Sequence, residues 1–380
     1  MQIINFNHLD TQGWCRPRTL IVYSTRRIDP DSIRKLQNDF PNLSIFGTSS
    51  YHGIFTPSGY ERGSYGFLVD EDDAVDLQPI ILPLSDKCDV KNKVKSALLN
   101  EIQRDALPSH IIIHATMGFE ERVIEGIHDV YDNRVQIFGA TAANDKFLSH
   151  PFVFKDDVFV ESGVLLVAVY GNRFQCIIEQ AGYLPTQKSG VITKARGRTI
   201  LSIDGKPAAD VYDDWTDHLF TLDIHHNGIL PRSAALYPLG CDSLATDCGH
   251  FWLAHPYKIN PTNRSIDLYS ELEVGSRVIL MRSSADLLVD QAGKTFHLIM
   301  RGIDRSRIRT AFVMYCAGCA SIIAENMPTV CDKLKKEMGD IPFIGLSSFG
   351  EQGRLEQSQR DYHGNMMIVF LLIRKRDDED

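Results

Sequence analysis

The sequence predicts a mixed α/β protein of two related modules, with parallel strand–helix–strand units, antiparallel additions and an internal pseudo-repeat. Three observations predict it. A phrase of apolar strand, Gly and small residues occurs three times, as "IFGTSSYHG" (45–53), "IFGATAAND" (137–145) and "FIGLSSFGEQG" (343–353). Each phrase follows an apolar run and a segment of helical periodicity, and each leads into another apolar run. A chain of 380 residues also exceeds one compact core, so it divides.

In chain order, "TLIVYST" (19–25) reads as a buried strand, 29–40 as a helix opened by Asp and Pro, and "LSIFGTSS" as a second strand. The order then returns. "HIIIHAT" (110–116), a helix from about Phe119 to Val130 and "VQIFGATA" form a second unit; "AFVMYCAG" (311–318), a helix from about Ala320 to Met338 and "PFIGLSS" form a third. Further strands follow at 63–69, 161–170 and 364–373. Strands joined by a crossover helix pair in parallel, and open α/β sheets bind ligands beyond the carboxyl ends of their strands. From 158 to 204 the chain reads as antiparallel strands, "DGKP" (204–207) breaks the run, a helix is expected from Pro207 to Leu222, and strands return over 233–282. The division is an N-terminal arm at 1–17 and modules at 18–204 and 205–380.

A net charge of −9 argues against a phosphate-binding surface, so nucleic acid is not an expected partner. The longest apolar runs, 163–170 and 366–373, fall far short of the roughly 20 residues a membrane helix needs. The N-terminus lacks a basic region followed by a long apolar one, and the eight Cys residues have no dense spacing. A cytoplasmic protein with free thiols is the expectation.

The three phrases, together with "GYLPTQKSGVITKARGRTILSIDGKPAADVYDDW" (182–215), "CAG" (316–318) and "YHGN" (362–365), resemble the FIST family over roughly 18–373. The resemblance implies an intracellular ligand-sensing protein, with N-terminal and C-terminal modules in tandem, that signals through a partner enzyme. Amino acids are among the ligands suggested for such modules. By length and architecture the chain resembles a group of stand-alone bacterial members that bind haem, sense nitric oxide and regulate a histidine kinase. The family's "CAGR" reads "CAGC" here, so position 319 departs from the family pattern.

The candidate ligand-binding residues are Gly47, Thr48, Ser49, Ser50, Gly139, Thr141, Asn144, Cys316, Gly345, Ser347, Ser348 and Glu351, around a shared pocket. The plainer reading is tight strand exits packed against helices. Haem of the b type needs an axial ligand on an apolar surface. His218 offers one, on a helical stripe with Val211, Trp215 and Leu222, and His255 is the next candidate. Cys316 and Cys319 form a C-x-x-C at a strand-to-helix junction, where a helix N-terminus lowers a thiol pKa. A haem-free sensor of a small metabolite and a thiol-dependent enzyme using Cys316 are the alternatives to the haem-based sensor, and small packing residues are the bland reading of the cysteine pair. Cys241, Cys248, His250 and His255 carry zinc-ligand chemistry with poor strand parity. No nucleophile–base motif is visible.

Overall fold

The computed structural model describes residues 2–73, 75–102, 106–146, 148–171, 174–180, 182–226, 228–241, 251–355 and 360–375. All three expected units form. Unit 1 is Pro17–Ser24, the helix Pro30–Asp39 and Ser44–Ser49; unit 2 is His110–Ala115, the helix Glu120–Tyr131 and Gln136–Ala140. Unit 3 is Ile308–Cys316, the helices Ala317–Ile322 and Met327–Met338, and Phe343–Ser348. The two strands of each unit pair in parallel. Local chemistry sets the helix starts: the Asp29 carboxylate caps the Asp31 amide before Pro30, and Ser284 caps Leu287 at the head of the helix Ala285–Ile299.

Antiparallel strands extend each pair on one side. The return strands Ser64–Asp70, Gly163–Tyr170 and Met367–Arg374 lie beside the first strand of units 1, 2 and 3. Lead-in strands Gln2–Asn5, Asp76–Pro83 and Phe174–Gln180 cover their outer edges. Strands expected as one antiparallel run from 158 to 204 are therefore shared among sheets. Gly163–Tyr170 serves unit 2, Phe174–Gln180 serves unit 3, and Leu184–Arg196 begins a separate sheet of eight strands that runs to Arg282.

On the other side, the hairpin that follows each glycine phrase leaves its own unit. Ile54–Thr56 and Gly59–Glu61, from unit 1, join unit 3, where Phe55 pairs with Gly345. Val153–Lys155 and Val158–Val160, from unit 2, join unit 1, where Phe154 pairs with Gly47. Glu351–Gly353 and Tyr362–Gly364, from unit 3, join unit 2, where Gln352 pairs with Gly139. The exchange is cyclic, and it laces the two halves of the chain together.

The repeated glycine has a single cause. A Cβ on Gly47 would lie 1.7 Å from the Val22 carbonyl oxygen; on Gly139, 2.3 Å from that of Ile113; on Gly345, 2.5 Å from that of Val313. In each case the crowding atom belongs to the residue facing the glycine across the parallel pair. Close approach, rather than positive φ, requires glycine here.

The helix expected from Pro207 to Leu222 ends early. It spans Ala208–Trp215; Asp217 and His218 follow at φ 52 and 62, and a second helix begins at Thr221. The helix expected over 320–338 likewise divides into Ala317–Ile322 and Met327–Met338.

Gly139→Ala is expected to destabilise the protein by about 3 kcal/mol, as overpacking against fixed backbone does. Leu99→Ala, at a side chain 57% exposed, should change stability by less than about 0.5 kcal/mol. Urea denaturation of both variants checks the contrast.

Candidate functional site

The three glycine tips meet one another. The Ala143 amide donates to Ser49 O (3.2 Å), the Tyr51 amide to Ser347 O (2.9 Å), and the Thr141 amide to Gly350 O (2.8 Å). Ser50 Oγ accepts from the Ser347 amide (2.9 Å), and the Phe349 amide donates to Thr141 O (3.1 Å). Thr48 Oγ1 donates to Phe152 O, Ser49 Oγ accepts from the Phe152 amide, and Ser347 Oγ bonds Tyr60 Oη. Thr48, Ser49, Ser50, Thr141, Ser347, Ser348 and Glu351 are buried, and Asn144, partly exposed, donates to Leu148 O. These residues form a closed hydrogen-bonded hub. None of them lines the two cavities described below.

The repeat breaks at one place. Facing each glycine strand, unit 1 supplies Ile54 and Phe55 and unit 2 supplies Val153 and Phe154, whereas unit 3 supplies Glu351 and Gln352. Two buried polar side chains replace an apolar pair. Ser348 Oγ donates to Glu351 Oε1 (2.7 Å) and the Met367 amide to Oε2 (3.2 Å), while burial pushes the Glu351 carboxyl well above the usual carboxylate range. Gln352 Nε2 donates to Thr141 Oγ1 and to His363 Nδ1, both at 2.9 Å. His363 Nε2 then donates to Tyr269 O (3.3 Å), which fixes the neutral tautomer; burial lowers the His363 pKa. Gln352 Oε1 is buried with no hydrogen-bond partner among the described residues.

From Thr141 the network reaches Arg198. Thr141 Oγ1 donates to Glu120 Oε1 (2.9 Å); Arg198 Nη2 donates to Glu120 Oε2 and Glu121 Oε2 (2.6 Å each), and its Nε to Glu121 Oε1 (3.0 Å). Burial pushes the Glu120 carboxyl up, but the charges of His363 and Arg198 outweigh it and hold the group below its ordinary value. We assign that effect to Arg198, because His363 is neutral at pH 7. Arg198, Glu120 and Glu121 were not among the residues singled out in sequence. The polar pair at 351–352, where the other hairpins carry Ile-Phe and Val-Phe, was the available signal.

Two cavities adjoin this network, on either side of the helix Glu120–Tyr131. The first, about 440 Å³, lies against His363, Asp361, Tyr362, Trp252, Glu273 and Asp132. The second, about 850 Å³, includes Arg198, Tyr257 and Tyr269, whose tyrosine rings stack at 4.4 Å. Glu121 and Glu271 border both.

The candidate haem ligands lie elsewhere. His218 is outside the helix, its side chain 70% exposed and paired with Asp213 at 3.1 Å; Leu222 is also exposed, so the expected core-facing stripe is absent. His255 packs on Tyr269 at 5.4 Å, the surrounding protein shields its ring and lowers the imidazole to about 3, and it borders neither cavity. Neither imidazole stands on an open apolar face of the kind a porphyrin would need. Cys316 stands at the N-cap position of the short helix Ala317–Ile322 without a side-chain capping bond, and burial pushes its thiol well above the ordinary value. Desolvation outweighs the lowering expected from the helix N-terminus. In the cysteine–histidine cluster, Cys248 and His250 lie outside the described residues. Among the described residues, no three His, Cys, Asp or Glu side chains group to hold a metal ion.

Comparison with protein families matches residues 19–206 to the FIST N domain and 208–354 to the FIST C domain. The chain belongs to the FIST family. FIST domains are ligand-binding modules associated with sensory signal transduction. A search of curated proteins gives no match. Among the described residues no helix is long and apolar enough to cross a membrane. In this FIST protein the two matched regions interlock: FIST N strands Ile54–Thr56 and Phe174–Gln180 extend the unit 3 sheet, and FIST C strand Glu351–Gly353 extends that of unit 2. The smaller cavity opens at their seam, with Glu121 and His128 from one region and Trp252 and Glu271 from the other.

Two measurements check these electrostatics. Arg198→Met leaves Glu120 and Glu121 without their cation and should cost about 3–5 kcal/mol in denaturant unfolding at pH 7. The buried His110 and His114 imidazoles are lowered by burial to about 4, beneath the roughly 6.5 of an unfolded chain. Their contribution is complete above that unfolded value and is lost as pH falls from there to about 4. Stability should fall across this window by about 1.4 kcal/mol per pH unit for each imidazole.

Proposed function

We propose that this FIST protein senses a small amine-bearing ligand in the seam cavity and passes its occupancy to the glycine hub. One observation carries the reading: the cavity is walled by both FIST regions and ends on His363, at the place where the repeat exchanges an apolar pair for a buried polar network. Clefts between domains, with a few convergent polar groups, are common ligand sites. The wall chemistry supports a cation. Glu121, Glu125, Asp132, Glu271, Glu273 and Asp361 border the cavity, against the cationic Arg360 and the imidazole His128. Glu121, Glu125 and Glu271, and Asp361 are engaged by Arg198, Arg122 and Arg354 respectively; Asp132 and Glu273 make no ion pair among the described residues. Trp252 and Tyr362, with rings 5.2 Å apart, add aromatic surface for the ligand's apolar part.

A ligand pressing on His363 acts on Gln352 and Thr141, and through Thr141 on the backbone bonds that join the tips. Occupancy changes output only if the two hub arrangements bind the ligand with different affinity. The output passes to a separate signalling enzyme, such as a histidine kinase. No catalytic step is proposed; burial raises both the Cys316 thiol and the Glu351 carboxyl above their ordinary ranges.

The test is a thermal-shift and calorimetric screen of amino acids, diamines and polyamines, with dicarboxylates as controls. An amine at 100 times its Kd should stabilise the protein by about 2.7 kcal/mol, and Glu273→Gln should weaken binding at least tenfold. Amines that leave the midpoint unmoved, or a Glu273→Gln variant with full affinity, would overturn the reading. A Soret band after haem reconstitution that shifts with nitric oxide would put haem in the amine's place.

A further inference from the structure

The third unit departs from the other two at a second point, away from the seam cavity. At the carboxyl ends of their first strands, units 1 and 2 carry Thr25 and Thr116. Each hydroxyl accepts from a glycine amide at the start of the return strand, Gly63 or Gly163, at 2.9 Å. In unit 3 the corresponding residue is Cys316, hydrogen-bonded to backbone of Met366, just ahead of the return strand. Met366 is fully buried yet held at φ 59, a conformation that costs an ordinary side chain free energy and that persists where surrounding structure enforces it. That backbone presents the Met366 thioether to Cys319: Cys319 Sγ lies 3.6 Å from Met366 Sδ. Cys316 and Cys319 in turn share a thiol hydrogen bond. Tyr183 Oη is 3.5 Å from Cys319 Sγ. Gly318 packs against the same thioether: a Cβ there would meet Met366 Cε at 2.4 Å.

We propose that Cys316, Cys319 and Met366 form a binding site for one soft monovalent metal ion of the copper(I) class. Three sulfur atoms, two from a C-x-x-C and one thioether, are gathered at the position where the sister units place a threonine. Thiolate and thioether donors select copper(I) over harder cations. Charge balance fixes the stoichiometry. The metal bonds to one thiol sulfur as its S–H bond breaks and the proton leaves to solvent. One positive charge enters and one departs, so the dry site stays neutral, as burial demands. The second thiol and the thioether complete the coordination as uncharged donors. The cysteines are buried at 2% and 0% exposure, so loading occurs during folding or local opening.

The test uses the full chain with the exposed Cys15 and Cys88 changed to Ser. Copper(I) is offered with bathocuproine disulfonate as a competing chromophore, both to native protein and during refolding from urea. One equivalent should be retained, with one proton released per metal. Met366→Leu, which conserves volume and leaves the cysteines in place, should keep the fold and weaken retention at least tenfold; Cys319→Ser should abolish it. Failure of both preparations to take copper from the competitor would overturn the site. So would metal retained equally by the parent and both variants, which would assign it to other cysteines.

Discussion

Each sheet of the three-unit core is completed by a hairpin that belongs to a different unit, and the rest of the structure depends on that exchange. A glycine strand left without its borrowed hairpin would be an open sheet edge with unpaired N–H and C=O groups. Gly47, Gly139 and Gly345 avoid this by pairing with Phe154, Gln352 and Phe55 from elsewhere in the chain. The same chain segments that leave one tip and enter the next sheet bring the tips together. The tip-to-tip bonds of Ser49, Thr141 and Ser347 follow from the connectivity. Cooperativity between the FIST N and FIST C regions is therefore built into the backbone rather than added by a side-chain interface.

A repeat constrained this tightly makes its departures informative. At the position where two hairpins bury Ile-Phe and Val-Phe, the third buries Glu351 and Gln352, one of them with an unpartnered carbonyl oxygen. Burying polar groups without full compensation costs stability, and sequences accept such costs chiefly at sites of function. The network that follows, from Gln352 to His363 and from Thr141 to Glu120 and Arg198, ends at the cavities on either side of the helix Glu120–Tyr131. The sulfur group of Cys316, Cys319 and Met366 is the second departure, and it too lies in unit 3.

The units themselves were legible in sequence because strand, helix and strand lie within about 30 residues, and local periodicity reports local structure. "IFGTSSYHG" and its two companions marked the tips, and the crowding of Val22, Ile113 and Val313 explains why the glycine recurs. The hairpin exchange was illegible. Phe55 and Gly345 are far apart in the chain, and nothing local in "IFT" names its partner. His218 was misplaced because 4, 3 and 4 spacing looks helical, whereas the helix closes at Trp215 and the chain turns through two left-handed residues. Arg198 was missed for a different reason. Its meaning comes from Glu120 and Glu121, which a separate strand–helix unit delivers. Aligning the three hairpins would have exposed the polar pair at 351–352 without any coordinates.

The interlocking of the two regions is tested most directly by separating them. Residues 1–206 and 207–380, produced as independent chains, would each lack strands that complete their sheets, since the unit 2 sheet needs Glu351–Gly353 and the unit 3 sheet needs Ile54–Thr56 and Phe174–Gln180. The account predicts that neither half alone gives a dispersed amide NMR spectrum or a cooperative thermal transition, and that mixing and refolding the two restores both. A separate half that unfolds cooperatively, with a dispersed spectrum of its own, would contradict it.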